Sequence, residues 1–232
     1  MNRIGIIGAM ESEVSCLKNE MEQVTVTTRA SMEFYEGTLR GKNVVVVRSG
    51  IGKVNAGICA QILVDLFKVE GIINTGIAGS LNTDIQIGDI VLSTEVVQHD
   101  VDATVFGCEK GHLPQMETGI FEADAHLREL AEQACKEVNP DIQVFKWRIA
   151  SGDQFICERD VKDRIRDTFG AFAVEMEGAA VGQAAWLNKT PFLIIRAISD
   201  NADDSTGMEY STFEKLAAEH SVRLTEKLIE SL

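Results

Sequence analysis

Short runs of β-branched and other apolar residues alternate along the chain with segments whose apolar positions recur at helical spacing. The strand-like runs contain few polar positions, which is typical of strands buried on both faces. We therefore predict an α/β fold, a largely parallel sheet covered by helices on both faces, and a single domain over residues 1–232. Strands are predicted near residues 3–7, 43–48, 71–74, 89–97, 143–150, 171–175 and 192–198, and helices near 12–21, 53–67, 123–138, 158–168, 178–187 and 211–230.

Acidic side chains stand where three of these predicted strands end. Glu175 and Glu177 lie at the end of the sixth run, Asp200 follows the seventh, and Glu13 follows the first. A buried carboxylate without a partner is costly, so Glu175 and Glu177 need partners in the protein or in a ligand. Ligands of open α/β sheets bind outside the carboxyl ends of the strands. The clustering therefore predicts one pocket at that edge of the sheet.

The overall charge excludes several classes of function. The chain has a formal net charge of −14 and no local run of Lys or Arg, so a nucleic-acid backbone or an anionic lipid surface would be repelled. We predict a small-molecule ligand, with no nucleic acid and no membrane as partner. No apolar stretch reaches the roughly 20 residues of a membrane span, and the first residues run straight into a strand, which predicts a cytoplasmic protein.

Metal and disulfide chemistry are both disfavoured by the sequence. The five cysteines are scattered without a C-x-x-C pair, so we expect reduced thiols and no zinc site. The segment His99-Asp100-Val101-Asp102 has metal-type ligands, but its strand-like alternation would direct the histidine and the two aspartates to opposite faces. We therefore predict no metal.

Two glycine clusters suggest phosphate-binding loops, but neither has the required spacing. Gly50 and Gly52 are followed by Asn55 where a dinucleotide fingerprint needs its third glycine. A tight turn from strand to helix accounts for either glycine about as well as close approach of the backbone to a ligand does, and the same holds for Gly76 and Gly79 of the second cluster. No G-x-S-x-G elbow marks a serine nucleophile at these strand ends, so a catalytic triad is disfavoured.

Acid–base chemistry by carboxylates is the remaining interpretation. Glu13, Glu177 and Asp200, taken singly, could each be a carboxylate that favours a helix N-terminus. Their joint occurrence at three strand ends favours catalysis instead. The segment 99–122 follows neither period, and a loop of that length in a compact domain is typically functional or part of an interface.

Several motifs together resemble one known family. They are Gly5-Ile6-Ile7-Gly8-Ala9-Met10-Glu11-Ser12-Glu13, Ser49-Gly50-Ile51-Gly52-Lys53-Val54, Ile73-Asn74-Thr75-Gly76, Ser151-Gly152-Asp153, Val174-Glu175-Met176-Glu177 and Arg196-Ala197-Ile198-Ser199-Asp200. In this order and spacing the chain resembles the 5′-methylthioadenosine/S-adenosylhomocysteine nucleosidases of the nucleoside phosphorylase superfamily over essentially its full length. The resemblance implies a three-layer αβα fold with a mixed central sheet, a homodimer, and no metal or organic cofactor.

The resemblance also implies a role for individual residues. Glu13 matches the residue that activates the hydrolytic water, Asp200 the acid that protonates adenine N7, and Glu177, in ionised form, the ligand of the ribose hydroxyls. The positions matching the pocket lining are Met10, Ile51, Ile77, Glu175, Met176, Arg196 and Ser199, with Phe155 and Ile156 reading adenine, Tyr210 covering the ribose and 5′ group, and Phe106 and Pro114 of the partner subunit closing over the 5′ substituent. Two departures are Ile77, where many members have a hydroxyl residue, and Cys108, which replaces an aromatic residue.

Breaking an N-glycosidic bond requires stabilisation of a cationic sugar and an anionic base. A protonated Asp200 and an ionised Glu13 would supply an acid and a base for this reaction. Glu11 and Glu13 stand where a phosphorylase needs groups that bind an anion, which favours water as the nucleophile. Arg48 and Arg196 leave phosphorolysis as the alternative, and a non-catalytic nucleoside sensor is a third. The sequence leaves open the preference among methylthioadenosine, S-adenosylhomocysteine, 5′-deoxyadenosine and futalosine-type nucleosides.

Overall fold

The structure, a computed structural model, describes the backbone of residues 1–201 and 210–232 and the side chains of residues 1–201 and 216–232. Ten strands form one mixed sheet. They are β1 (Arg3–Gly8), β2 (Glu22–Arg29), β3 (Met32–Leu39), β4 (Lys42–Arg48), β5 (Gly71–Ser80), β6 (Ile90–Gln98), β7 (Ile120–Glu122), β8 (Val144–Ser151), β9 (Ala173–Glu175) and β10 (Phe192–Asp200). The α-helices are α1 (Glu11–Glu20), α2 (Lys53–Asp65), α3 (Ala125–Val138), α4 (Arg159–Phe169), α5 (Gly178–Leu187) and α6 (Tyr210–Ser231).

Helices cover the sheet on both faces, as predicted. Helices α1, α3 and α6 pack together on one side, while α2 and α5 pack against each other on the opposite side. The central strands are mainly apolar: β1, β5 and β10 are buried nearly throughout, and β4 is buried along its valine run. This burial on both faces confirms the three-layer α/β architecture. Within the described residues, no helix is both long and apolar enough to cross a bilayer.

The central strands are parallel, and the sheet partly closes on itself. Strand β1 pairs in parallel with β4 and β5, and β5 pairs in parallel with β10. Strand β10 also pairs antiparallel with β6, and β6 returns to β5 through β8 and β9. These five strands form a closed ring of pairings. The ring is not evident from the sequence pattern, because the pattern does not show which strands pair with each other. The ring brings the ends of β5, β9 and β10 to one place.

The strands β2 and β3 were not predicted from the sequence. They form a meander with β4 at one edge of the sheet, and β2 is exposed along most of its length. The β2–β3 turn consists of Ala30 and Ser31, both with positive φ, rather than the Asn-Gly or Asp-Gly pair typical of tight hairpins. An edge strand without a buried face and a turn without a glycine leave little pattern in the sequence.

Strand β5 is longer than predicted. The apolar run suggested an end at Asn74, followed by a glycine-rich turn, but the strand continues to Ser80. Gly76 and Gly79 lie inside it at positions where any larger residue would meet a carboxylate of the neighbouring strand-end segments. The glycines therefore provide clearance for side chains rather than a turn. The segment 99–122 also contains some regular structure, a 3₁₀ turn at Thr104–Phe106 and strand β7.

Candidate active site

A cleft of about 600 Å³, its open mouth included, lies at the carboxyl ends of β1, β5, β9 and β10. This is the edge at which the sequence predicted a pocket. Most of the predicted site residues line it. The lining residues are Ala9, Met10, Glu13, Ile51, Ile77, Ala78, Gly79, Gln154, Phe155, Ile156, Val174, Glu175, Met176, Glu177, Ser199 and Asp200.

Glu13 is held at the floor of the cleft by backbone N–H groups. Its Oε2 accepts hydrogen bonds from Ala9 at 2.7 Å and Met10 at 2.9 Å, and its Oε1 accepts one from Ile77 at 3.2 Å. Burial raises the pKa of Glu13 above its ordinary value, and the charge of Arg196 and these N–H groups offset part of the rise. Glu13 is therefore a fixed carboxyl group whose environment brings its pKa nearer to neutral pH.

Clearance for this carboxyl group comes from a glycine on β5. A Cβ atom at Gly76 would stand 2.5 Å from Oε1 of Glu13. The glycine thus lets the backbone of β5 approach the side chain from α1 closely enough for the Ile77 N–H group to donate.

Glu175 has its partner within the protein. Arg196 donates to Oε2 of Glu175, and the N–H groups of Glu177 and Gly178 donate to the same atom at 3.0 and 2.8 Å. Ser151 donates to Oε1. Burial alone would raise the pKa of Glu175, but the guanidinium charge and the hydrogen bonds outweigh it and hold the pKa below its ordinary value. Both carboxylate oxygens of Glu175 are therefore hydrogen-bonded within the protein, and this residue does not need a ligand as its partner.

Arg196 lies behind the cleft rather than on its wall. Its side chain is 2% exposed, and its two terminal nitrogens donate to Glu175 and to the backbone and side-chain oxygens of Asn74. The Nε atom of Arg196 is buried and has no hydrogen-bond partner among the described residues. In this arrangement the guanidinium stabilises the acidic site electrostatically and has no face open for an anion from solvent.

The carboxyl group of Glu177 accepts one hydrogen bond from the described part of the protein, donated by the Gly52 N–H group to Oε1 at 2.7 Å. Burial, and next the negative charge of Glu175, raise the pKa of Glu177 to about 8. The family resemblance implies an ionised Glu177, whereas these surroundings favour the protonated carboxyl at neutral pH. The group lines the cleft and is available to a ligand.

Asp200 ends β10 beside a buried lysine that sequence reasoning missed. The Lys162 ammonium group on α4 lies 2.7 Å from Oδ2 of Asp200, and the hydroxyl of Ser199 donates to Oδ1 at 3.1 Å. A Cβ atom at Gly79 would stand 2.9 Å from Oδ2. The signal in the sequence is the spacing of Lys162 with Ile165 and Phe169, which places a lysine on the apolar stripe of an amphipathic helix.

Apolar residues at the rim complete the described cleft. Phe155 and Ile51 are 57% and 54% exposed and lie at the mouth, while Ile77 is buried and presents a methyl surface instead of a hydroxyl group. Exposed aromatic and aliphatic side chains at a cleft mouth are suited to the flat faces of a heteroaromatic ligand.

Two predicted residues lie away from the cleft of their own chain, and a third has a side chain outside the described residues. Phe106 is 77% exposed on the 3₁₀ turn, Pro114 is exposed further along the same segment, and neither lines the cleft of its own chain. The backbone of Tyr210 begins α6, but its side chain lies outside the described residues.

The aspartates of the 99–102 segment have structural roles. Asp100 pairs with the Lys53 ammonium group at 2.6 Å and accepts from the Asp153 N–H group at 2.9 Å. Asp102 accepts from the backbone and hydroxyl of Thr104. These contacts fasten the start of α2 and the loop after β8 next to the cleft.

Residues 3–230 match the phosphorylase superfamily, and the chain therefore belongs to it. The chain is 45% identical over 231 residues to a 5′-methylthioadenosine/S-adenosylhomocysteine nucleosidase of Bacillus thuringiensis (strain Al Hakam), with 99% of each protein covered. Within the superfamily, this chain belongs to the 5′-methylthioadenosine/S-adenosylhomocysteine nucleosidase family.

Solved structures agree with that assignment. The nucleosidase of the same name from Neisseria meningitidis, in complex with methylthio-immucillin-A, superposes with a TM-score of 0.95 at 38% identity, with both chains fully covered. The futalosine hydrolase of Helicobacter pylori strain 26695 superposes with a TM-score of 0.93 at 31% identity, covering 100% of this chain and 98% of that one.

Proposed function

We propose that residues 1–232 act as one catalytic domain that hydrolyses the N-glycosidic bond of 5′-methylthioadenosine and S-adenosylhomocysteine, releasing adenine and the 5-substituted ribose. The similarity to named nucleosidases over the whole chain supports the substrate class. The observation that carries the mechanism is that Glu13, Glu177 and Asp200 line one cleft in three different electrostatic environments. No cofactor or metal is required by this chemistry.

Asp200 is the proposed general acid. As the bond between C1′ and N9 breaks, its electron pair passes to adenine, and a proton delivered to N7 neutralises the negative charge that develops on the base. Asp200 lines the cleft and is held by Lys162 and Ser199, so its position is fixed before substrate binds. General acid catalysis of this kind contributes about 10²–10⁴-fold to the rate.

Glu13 is the proposed base for the attacking water. Three backbone N–H groups fix its two oxygens, and burial raises its pKa toward the range in which a carboxylate accepts a proton effectively. The proton that Glu13 takes from water returns to solvent, and Asp200 is reprotonated before the next turnover. The reaction then balances with water as the sole co-substrate.

Glu177 is the proposed ligand of the ribose hydroxyls. With a pKa of about 8, the carboxyl group is largely protonated at neutral pH in the free protein, and positive charge on the ribosyl ring would favour loss of that proton to solvent and hence the carboxylate form. A carboxylate that becomes favoured as the cation develops stabilises the transition state more than the ground state. Met10, Met176 and Ser199 would surround the same sugar, and Phe155 and Ile156 would contact adenine.

Water is favoured over phosphate because neither candidate phosphate ligand is among the residues that line the cleft. Arg196 is buried against Glu175 and Asn74, and Arg48 lies on the surface, 3.7 Å from Glu11. A phosphate ion in this cleft would face Glu13 instead of a free cation. Phosphorolysis is therefore the second candidate.

We further propose a homodimer in which Phe106 and Pro114 of the partner close the 5′ end of the cleft. Val54, Ile58, Val105 and Phe106 are all more than two-fifths exposed, an apolar set that suits an interface. An apolar wall from a partner would accommodate the methylthio or homocysteinyl group. Cys108, in the same segment, would then influence which 5′ substituent is preferred.

The wider biological assignment rests on the same substrates. Removal of methylthioadenosine and S-adenosylhomocysteine serves methionine salvage, amino-acid biosynthesis and detoxification of methyl-transfer products, and 5′-deoxyadenosine has the same adenine and ribose groups. Five free cysteines are consistent with a cytoplasmic location. The similarity to a futalosine hydrolase makes futalosine-type nucleosides a further substrate to test.

The test is adenine release from each nucleoside with and without phosphate. We expect release from methylthioadenosine and S-adenosylhomocysteine without phosphate and no acceleration when phosphate is added. An absolute phosphate requirement would establish phosphorolysis. Tight binding of adenosine analogues without release of adenine would indicate a sensor.

A further inference from the structure

A lysine is buried directly behind the proposed general acid. Lys162 is 1% exposed and lies on the inward face of α4 with Ile165 and Phe169. Those two neighbours belong to an apolar cluster, so an apolar side chain would suit the stripe that the lysine occupies. A buried lysine beside a carboxyl group is weak evidence for stability, because desolvation of the two groups opposes their attraction. The presence of an ammonium group here therefore calls for an explanation other than packing.

The ammonium group makes two contacts at the end of β10. Nζ of Lys162 donates to Oδ2 of Asp200 at 2.7 Å and to the backbone carbonyl of Asn201 at 2.6 Å. The first contact orients the carboxyl group, and the second fixes the backbone that follows it. Ser199 holds the other oxygen of Asp200. Lys162 thus controls both the direction and the backbone position of the proposed acid.

The ammonium charge of Lys162 also favours the carboxylate that Asp200 becomes when it gives up its proton. When Asp200 passes its proton to N7, the bond from oxygen to hydrogen breaks and a carboxylate is left 2.7 Å from Nζ. A fixed positive charge next to a developing negative charge stabilises the transition state without reorganisation. The lysine keeps its own protons throughout this step.

We propose that Lys162 is a positioning residue that acts through Asp200, orienting the acid and stabilising the carboxylate that forms when adenine is protonated. The inference rests on the proposed function of Asp200. It predicts that the effect of replacing Lys162 disappears when Asp200 can no longer donate a proton.

The experiment is a double-mutant cycle with Lys162→Met and Asp200→Asn, measured as kcat and KM for methylthioadenosine. We expect Lys162→Met to lower kcat about 10–100-fold, as misplacement of a catalytic group does, with KM changed less than about threefold. In the Asp200→Asn background the same replacement should change kcat less than about twofold. Arg166→Met, on the outer face of the same helix, is the matched control and should leave kcat unchanged.

Two further measurements separate positioning from folding. Lys162→Arg retains the charge and should recover part of the lost kcat. A 4-nitrophenyl riboside, whose leaving group departs without a proton, should be cleaved by Lys162→Met at the wild-type rate. Equal losses on both substrates, or losses that multiply in the double variant, would overturn the proposal. Near-native kcat in Lys162→Met alone would overturn the role of Lys162, whereas near-native kcat in Asp200→Asn would overturn the proposed function itself.

Discussion

Glu13, Glu177 and Asp200 carry the same functional group but have different neighbours. Glu13 is fixed by backbone N–H groups, Glu177 stands close to another carboxylate, and Asp200 faces an ammonium group. Sites that use one carboxyl group as acid and another as base typically place the two groups in different environments. At the residue scale, the proposed roles of the three acids therefore follow from the groups that surround each carboxyl group, because the carboxyl groups themselves are alike.

Glu13→Gln should lower kcat about 10²–10⁴-fold, because an amide cannot accept a proton from water. The binding of an adenosine analogue should be largely preserved, since Glu13 is proposed to contact the attacking water rather than adenine. Glu11→Gln is the matched control, because Glu11 is exposed in the same helical turn. Calorimetry and steady-state rates measure the two effects, and a parallel loss of binding and turnover would mean that Glu13 is a structural residue or a substrate ligand.

Glu177 makes stability depend on pH in a defined direction. Its folded pKa of about 8 lies above the ordinary 4.5, so the folded state retains the proton longer than the unfolded state does. The contribution is fully present below about pH 4.5 and is lost as the pH rises through about 8. Relative to Glu177→Gln, which cannot ionise, the wild-type protein should therefore lose stability over that range.

Thermal melts of the two proteins from about pH 5 to pH 9 measure this difference, at roughly 2–4 °C in Tm for each kcal/mol. Glu158→Gln, at an exposed carboxyl group, should show no comparable trend. A difference in Tm between wild type and Glu177→Gln that stays constant with pH would show that Glu177 is ionised in the folded protein.

The environments of the acids could be predicted from the sequence only in part. The positions of Glu13, Glu177 and Asp200 after strands predicted their convergence, because strand ends of a parallel sheet meet at one edge. The partner of Glu175 and the lysine behind Asp200 come from elements distant in sequence. Their contacts depend on how β10 and α4 are placed, which no local pattern encodes.

At the scale of elements, glycines inside β5 set the distance between backbone and carboxyl group. Gly76→Ala should displace the Glu13 carboxyl group, since a Cβ atom would stand 2.5 Å from its Oε1. We expect kcat to fall by at least about tenfold. Gly71→Ala is the matched control on the same strand, because its Cβ would meet the sulfur of Met1, a flexible and partly exposed side chain. Equal kcat values for the two variants would contradict a clearance role for Gly76.

The elements themselves were predictable where burial produces a pattern. Strands β1, β4, β6, β8 and β10 and the six helices of the described residues were predicted close to their observed bounds. The hairpin strands β2 and β3 were missed because one is an exposed edge strand and their turn contains no glycine. The extension of β5 was missed because glycines in its second half suggested a turn, whereas tertiary contacts require them.

At the scale of the whole molecule, the exposed apolar residues of α2 and the 3₁₀ turn lead to the proposed dimer. Phe106→Ala should raise KM for methylthioadenosine more than it lowers Tm, because the ring is exposed in its own subunit and is proposed to cover the partner's 5′ pocket. Val26→Ala, at an exposed position of the distant edge strand β2, is the control and should leave KM unchanged. An unchanged KM in Phe106→Ala, or a fully active monomer in light scattering at assay concentration, would contradict the dimer.

Asp200 is proposed to donate the proton that lets adenine leave while water attacks. The most direct measurement is adenine release from saturating methylthioadenosine in phosphate-free buffer, for the wild-type protein and for Asp200→Asn. We predict turnover by the wild type without phosphate and a loss of about 10²-fold or more in the variant, which should keep a cooperative melting curve. Near-native release by Asp200→Asn, or a wild-type protein that is inactive until phosphate is added, would contradict the account.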